Sequence, residues 1–434
     1  MILMSNFDYD CIIIGGGASG LMCGSYLAKK ISRLAIIDSN SRLGKKLSLT
    51  GNGRCNMSNS NIETSNYSSD DSSFVDSAFS QVDVNESLSF FESKLSVLTS
   101  SKDYLVYPYT FKAETVVEAF REYIKDNSIE LLLGRSVVAI NPIDGGARVT
   151  CSSKETYTSR YVVVATGGMS YPKTGSDGSG YKLVLPFVGT ENLENPMPAL
   201  VQLLSNDKNI KSLSGIRSQV KVSIRGSKSI NDVIAVEKGE ILFTDYGISG
   251  ICIMQLSSLC LSYAKRNKNY PIVYIDFFDS YSLEDVVHMI LRRQESFPNR
   301  SIVGALSGMI NSKIVEVILK RHNLDGRVLI SSLQRNKVET IAMELKSFSV
   351  NISGTMGFDF AQVTHGGIKL NSLSHLTMRL KSNKHIFLCG EILNVDGPCG
   401  GYNLQWAWTS GILAAKGVIK SIEGELVAMA LRIS

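Results

Sequence analysis

Apolar and polar positions follow three rhythms along this chain. Near the start, residues 11–14 form an apolar run of the length of a buried parallel strand. A glycine-rich stretch follows, and residues 21–30 then take up helical spacing. A second short run, 33–37, ends at Asp38. Residues 130–140 and 161–165 predict two further strands, and 178–188 predicts a helix. From Pro196 the rhythm changes to alternation over 199–204, 220–224, 233–236, 240–243 and 272–277, with Gly, Ser and Asn turns between. Helical spacing returns at 283–293, 302–306, 313–321 and 337–344. A last strand, 385–389, precedes a helix over 402–416, while the Ser/Asn/Asp-rich stretch 58–80 reads as a long loop.

The first strand-to-helix junction carries Gly15, Gly17 and Gly20 in the spacing G-x-G-x-x-G, with Ala18 and Ser19 between the last two. There the first glycine permits a tight turn, the second lets backbone approach a pyrophosphate, and the third lets helix and strand pack closely. The helix N-terminus adds unpaired N–H donors and a partial positive charge. Asp38 lies 18 positions after Gly20, where an acid reaches ribose hydroxyls. An acid there suits a free 2′-hydroxyl, so the nucleotide is FAD or NAD rather than NADP. Membrane insertion of this apolar stretch is rejected, because Asp8 and Asp10 precede it and glycines punctuate its centre.

The pattern implies an α/β fold: a Rossmann-like FAD-binding domain with an inserted β-barrel and a small helical subdomain. The expected boundaries are 1–195 and 363–434 for the two parts of the nucleotide domain, 196–276 for the barrel, 277–346 for the helices and 347–362 for a return strand. Val137 falls where such folds bracket adenine, and Thr166 and Gly167 follow the strand beside the nucleotide. Glu391, directly after the last strand, stands where an acid meets a ribityl chain. The helix from Tyr402 aims its N-terminus at a flavin ring, where it would stabilise the charge that appears on reduction.

Composition narrows the class. A chain of 434 residues with 44% hydrophobic and 20% charged residues is globular rather than disordered. The net charge of +5 is too small to argue for nucleic acid, although it leaves room for a local patch. The eight cysteines include no C-x-x-C pair, and neither they nor the five histidines have metal-ligand spacing. We therefore expect no disulfide framework and no metal in a cytoplasmic enzyme.

Four segments are specific beyond composition: LGKKLSLTGNGRCNMSN from Leu43, ATGGMSYPKTGSDGSGY from Ala165, VTHGGI from Val363 and GEILNVDGPCGGYNLQWAWTSG from Gly390. Together they resemble a widespread bacterial family of NAD(P)/FAD-dependent oxidoreductases, which includes aminoacetone oxidases and the BaiN flavoproteins of bile-acid dehydroxylation. The resemblance covers nearly the whole chain. It implies that Gly15, Gly17, Gly20, Asp38, Lys45, Lys46, Gly51, Asn52, Gly53, Gly167, Glu391, Asp396, Gly401 and Asn403 contact FAD. This chain departs from the family pattern at Cys399, commonly Thr, at Arg379, commonly an acid, and at Asp38, commonly Glu.

Candidates for the chemistry are His365, Tyr171, Cys399, Cys55 and Tyr402. A histidine titrates in the working range, so His365 could supply a proton or equally be a packed loop residue. Cys399 could react with flavin or substrate, or simply fill space. Three activities stay open. One is hydride transfer through the flavin to a small molecule; the lack of a second G-x-G-x-x-G weakens a role for NAD(P)H, which could still bind transiently as reductant. Another is oxidation of a small amine or ketone by O₂. The last is a docking role of the insert for RNA or protein. The oligomeric state is not legible.

Overall fold

We describe the protein from a computed structural model, over residues 7–433 apart from 228, 230 and 231. β1 (Tyr9–Ile14) is buried on both faces, with Cys11, Ile12 and Ile13 sealed from solvent. It lies between β2 (Leu34–Asp38) and the strand Thr156–Val164, parallel to both. Glu130–Leu133 extends the parallel sheet beyond β2, and Ile386–Leu388 pairs the C-terminal half of Thr156–Val164. The N-terminal half of that strand pairs antiparallel with Gly146–Cys151, which pairs in turn with Val137–Ile143. Chain that departs after the first sheet strands thus comes back to it near its end.

Two helices converge beside β1. α1 (Ala18–Leu27) is almost wholly buried, and it packs on the closing helix Tyr402–Ile433. Their approach depends on small residues. A Cβ on Gly411 would stand 2.6 Å from Ser19 O.

The structure corrects two local expectations and adds further helices. The strand expected over 130–140 is two strands, because Gly134 turns at φ +70 and hands its N–H to Asn40 O. The expected loop 58–80 contains the helix Ser72–Gln81, which Asp71 caps by accepting from Phe74 N–H. Phe74, Val75, Ala78 and Phe79 give that helix its buried face. Helices Val84–Ser93, Ala113–Asp126 and Ile251–Asn267 are among those that the sequence reading does not contain.

The chain divides into two compact units, 1–198 with 362–434, and 199–361. In the second unit, an antiparallel sheet runs in the order Phe348–Asn351, Ile272–Asp276, Arg217–Arg225, Val233–Phe243, Gly247–Ser249, Leu203–Leu204, Gly354–Thr355. Its first and last strands are separated in sequence only by Ile352 and Ser353, so the sheet curls back on itself. Val222, Ile224 and Phe348 of the sheet share one core with Val286, Ile318 and Ile341 of the helices. Among the described residues no helix is long and apolar enough to cross a membrane.

Candidate active site and its cofactor cradle

The three glycines of the first turn divide their roles. A Cβ on Gly15 would lie 2.4 Å from Ala165 O, and one on Gly20 would lie 1.9 Å from Gly15 O. Both glycines are therefore demanded by packing. A Cβ on Gly17 would meet nothing within 4 Å, so this position faces open space at the N-terminus of α1. No side chain caps that terminus. Asp38 accepts from Gly16 N–H at 2.6 Å and from Asn40 N–H at 2.7 Å, which fixes the carboxylate beside the turn. Nearby, Thr166 Oγ1 and Ser176 Oγ are buried without a hydrogen-bond partner among the described residues. An open backbone cradle, uncapped donors, a fixed acid and unpaired hydroxyls fit a phosphate-bearing dinucleotide.

Glu391 joins segments distant in sequence. Its carboxylate accepts from Lys46 Nζ at 2.6 Å, Ser170 Oγ at 2.9 Å and Thr364 N–H at 2.8 Å. Gly168 N–H approaches it at 3.4 Å, and Ser170 Oγ also takes a short bond from Lys46. Thr364 Oγ1 accepts from Met169 N–H and Ser170 N–H. Ser170 and Thr364 had not been singled out from sequence; no spacing signals them. Lys45 is exposed and reaches Lys173 O and Asn40 Oδ1. Gly51, Asn52 and Gly53 are exposed, with left-handed φ of 58, 54 and 79. Val137 opens the strand Val137–Ile143, opposite Cys151. Tyr171 has φ 53, and its carbonyl accepts from Thr174.

The turn before the closing helix gathers most of the candidate chemistry. His365 sits on the strand Val363–Ile368, and its Nδ1 lies 2.8 Å from Asp396 Oδ1. Asp396 is buried, and burial pushes its carboxyl above the usual carboxylate range. The neighbouring histidine opposes that push. Asn403 closes the turn, accepting from Gly397 N–H at 2.9 Å and donating to Gly397 O at 2.7 Å. Gly401 has φ 91, and a Cβ there would lie 2.3 Å from Ser58 O. Packing on Ser58 thus gives this glycine its reason. Asn56, oriented by its neighbours, accepts from Gly401 N–H at 3.2 Å and donates to Ser58 O and Val106 O. Tyr402 is buried, and its hydroxyl meets Asn66 Nδ2 and Asn61 O. Cys399 is half-buried in this turn. Cys55, by contrast, is buried with its thiol pushed up to about 12, so it packs as a protonated filler.

With this geometry in place, comparison with known proteins is informative. A 3-dehydro-bile acid delta(4,6)-reductase of Clostridium scindens is 30% identical over 406 residues, covering 93% of this chain and 97% of the relative. Ribosomal RNA dihydrouridine synthases of Haemophilus influenzae and Escherichia coli are each 27% identical, covering 95% of this chain and 98% of theirs. Residues 9–417 match the family described as HI0933-like protein Rossmann domain. The chain therefore belongs to the HI0933-like Rossmann-domain family of flavoprotein oxidoreductases.

Proposed function

We propose that the protein is an FAD-dependent reductase that saturates a carbon–carbon double bond conjugated to a carbonyl. The observation that carries this is the His365–Asp396 pair, a protonatable group held by a buried acid at the turn that begins the closing helix. The relatives suggest the reaction class. Reducing a 3-dehydro-bile acid at its 4,6 positions and making dihydrouridine from uridine involve unlike molecules. In each, the double bond is conjugated to a carbonyl. Saturating it takes a hydride at the far carbon of the double bond, β to the carbonyl in a simple enone and δ in an extended dienone, and a proton at the neighbouring carbon nearer the carbonyl.

A bound, reduced flavin supplies the hydride. The chain's own residues do the rest. Gly17, Ala18 and Ser19 would hold the pyrophosphate at the N-terminus of α1, and Asp38 the ribose. Lys46, through its bond with Glu391, would close the middle of the cradle. Asp396 would accept from His365 Nδ1, which sets the ring's orientation and leaves Nε2 as the atom that delivers a proton. The carbon of the double bond nearer the carbonyl takes that proton. NAD(P)H would serve as a transient reductant.

The test is anaerobic. Holoprotein reduced by NADH, NADPH or dithionite is mixed with a 3-oxo-Δ4 steroid, with a uridine oligonucleotide, and with a saturated ketone. The flavin should return to its oxidised spectrum with a conjugated substrate and stay reduced with the saturated one. A flavin that stays reduced with both conjugated substrates would overturn the proposal, and a parallel aerobic assay in which an amine reduces the flavin and O₂ re-oxidises it would replace it with an oxidase.

A further inference from the structure

Beside the turn that holds Cys399 lies a surface which the chemistry above does not use. Strands Thr99–Lys102 and Leu105–Pro108 form a hairpin, and Ser58–Asn59 pairs its second strand. Antiparallel register puts directly opposed residues on one face. Val106 and Pro108 are buried on one side. The other side carries Leu105 and Tyr107, with Lys102, Ser100 and Asn59 opposite them. Tyr109, whose N–H donates to Leu98 O, continues that face. Phe111 lays its ring 5.3 Å from that of Tyr107.

This face is continuous with the active turn. Asn59 Nδ2 donates to Gly400 O at 3.0 Å, and a Cβ on Gly400 would touch Leu105 Cδ2 at 3.4 Å. From Leu105 to Tyr109 the strand direction covers roughly 13 Å, at about 3.3 Å per residue. Yet the rings gain little burial: Tyr109 is 68% exposed and Tyr104 65%. The backbone is also held in unfavourable regions to present them. Asp103 and Tyr104, the residues between the two strands, have φ of 49 and 68, and Phe111 has φ 53. Glycine or asparagine suits such positions far better than tyrosine or phenylalanine. Lys102 lies on this face opposite Leu105 and Lys112 follows Phe111 in the chain; both are exposed, and neither forms an ion pair among the described residues.

We propose that this hairpin face is a stacking platform for the unpaired bases of single-stranded RNA, which flank a base presented at the active turn. The proposal rests on the reductase reading and names its substrate class. Ring faces spaced along a strand suit successive bases, and unpaired lysines suit the phosphates between them. The chain's small net charge argues only against a large basic footprint; this one is local.

Binding is measured by fluorescence anisotropy of a labelled oligouridine of about 12 nucleotides on the full-length holoprotein. Tyr107→Ala and Tyr109→Ala should each weaken binding by about tenfold, the usual scale of one lost base stack. Tyr109→Phe, which keeps the ring, should retain wild-type affinity. Flavin content and re-oxidation by the small steroid enone should be unchanged in all three variants. The proposal is overturned if wild-type protein does not bind the oligouridine, if the alanine variants bind it as tightly as wild type, or if they lose steroid turnover with RNA affinity intact. The binding assay needs no turnover, so its failure is distinct from failure of the reductase reading, which the re-oxidation assay decides.

Discussion

Gly17 and Gly20 stand in the same turn, yet a side chain would act differently at each. Gly17→Val should give apoprotein that folds, at a cost of about 1 kcal/mol or less for an altered cap, but that retains no flavin. Gly20→Val should fail to fold, since its Cβ would stand 1.9 Å from Gly15 O. Absorbance and thermal melting of the two variants separate the roles; a folded Gly17→Val that stays yellow would refute the cradle. The His365–Asp396 pair gives a second pair of variants. His365→Gln should slow re-oxidation by enone by about 10²–10⁴-fold and flatten its pH dependence, while leaving reduction of the flavin untouched. Asp396 has a stability signature of its own. Its carboxyl is raised by burial, so the folded chain binds this proton more readily than the unfolded chain. At this site, stability falls as pH rises from the ordinary carboxylate value through the raised one. Asp396→Asn should therefore slow enone reduction while melting no lower than wild type at neutral pH. Melting curves across pH, with activity in parallel, test both halves.

Individual elements owe their positions to a few close contacts. Glu391 anchors the end of the strand Ile386–Leu388 to the Lys46 loop and to Thr364. Lys46 and Glu391 are 23% and 21% exposed, so their pairing is worth more than a surface ion pair and less than a sealed one. Glu391→Gln should cost about 1–2 kcal/mol and lower flavin affinity, read by denaturant titration with and without FAD. The closing turn was legible in sequence as a glycine cluster, because glycine betrays a backbone constraint locally. What imposes the constraint was not legible. Ser58 crowds Gly401 from more than three hundred positions away, so a glycine attributed to a bound ring also answers to a neighbouring strand. The helix Ser72–Gln81 was hidden for a related reason. Its serines and aspartates suggest a loop until Phe74, Val75, Ala78 and Phe79 find a surface to cover.

Among the described residues the molecule has two hydrophobic cores, one in each compact unit. The cradle residues Gly17, Asp38 and Glu391 all belong to the unit formed by 1–198 and 362–434. FAD binding should therefore stabilise that unit by mass action and leave the insert's own unfolding unmoved. Calorimetry should show two transitions, of which one rises with added FAD. A single transition that rises as a whole would mean that the cores unfold together.

The amino-acid order by itself determined the parts that are local: the strand–glycine–helix turn, Asp38 at its distance, the insert's alternating strands and the closing helix. Each rests on spacing within one stretch of chain, where periodicity and backbone sterics act directly. Tertiary structure alone decided the partners. Lys46 and Glu391 are 345 positions apart, and His365 and Asp396 are 31 apart on different strands. Asn59, on the strand that pairs the aromatic hairpin, meets Gly400 from 341 positions earlier. Pairings of that kind depend on which surfaces the folded sheet brings within hydrogen-bond range, and no pattern along the chain encodes that distance.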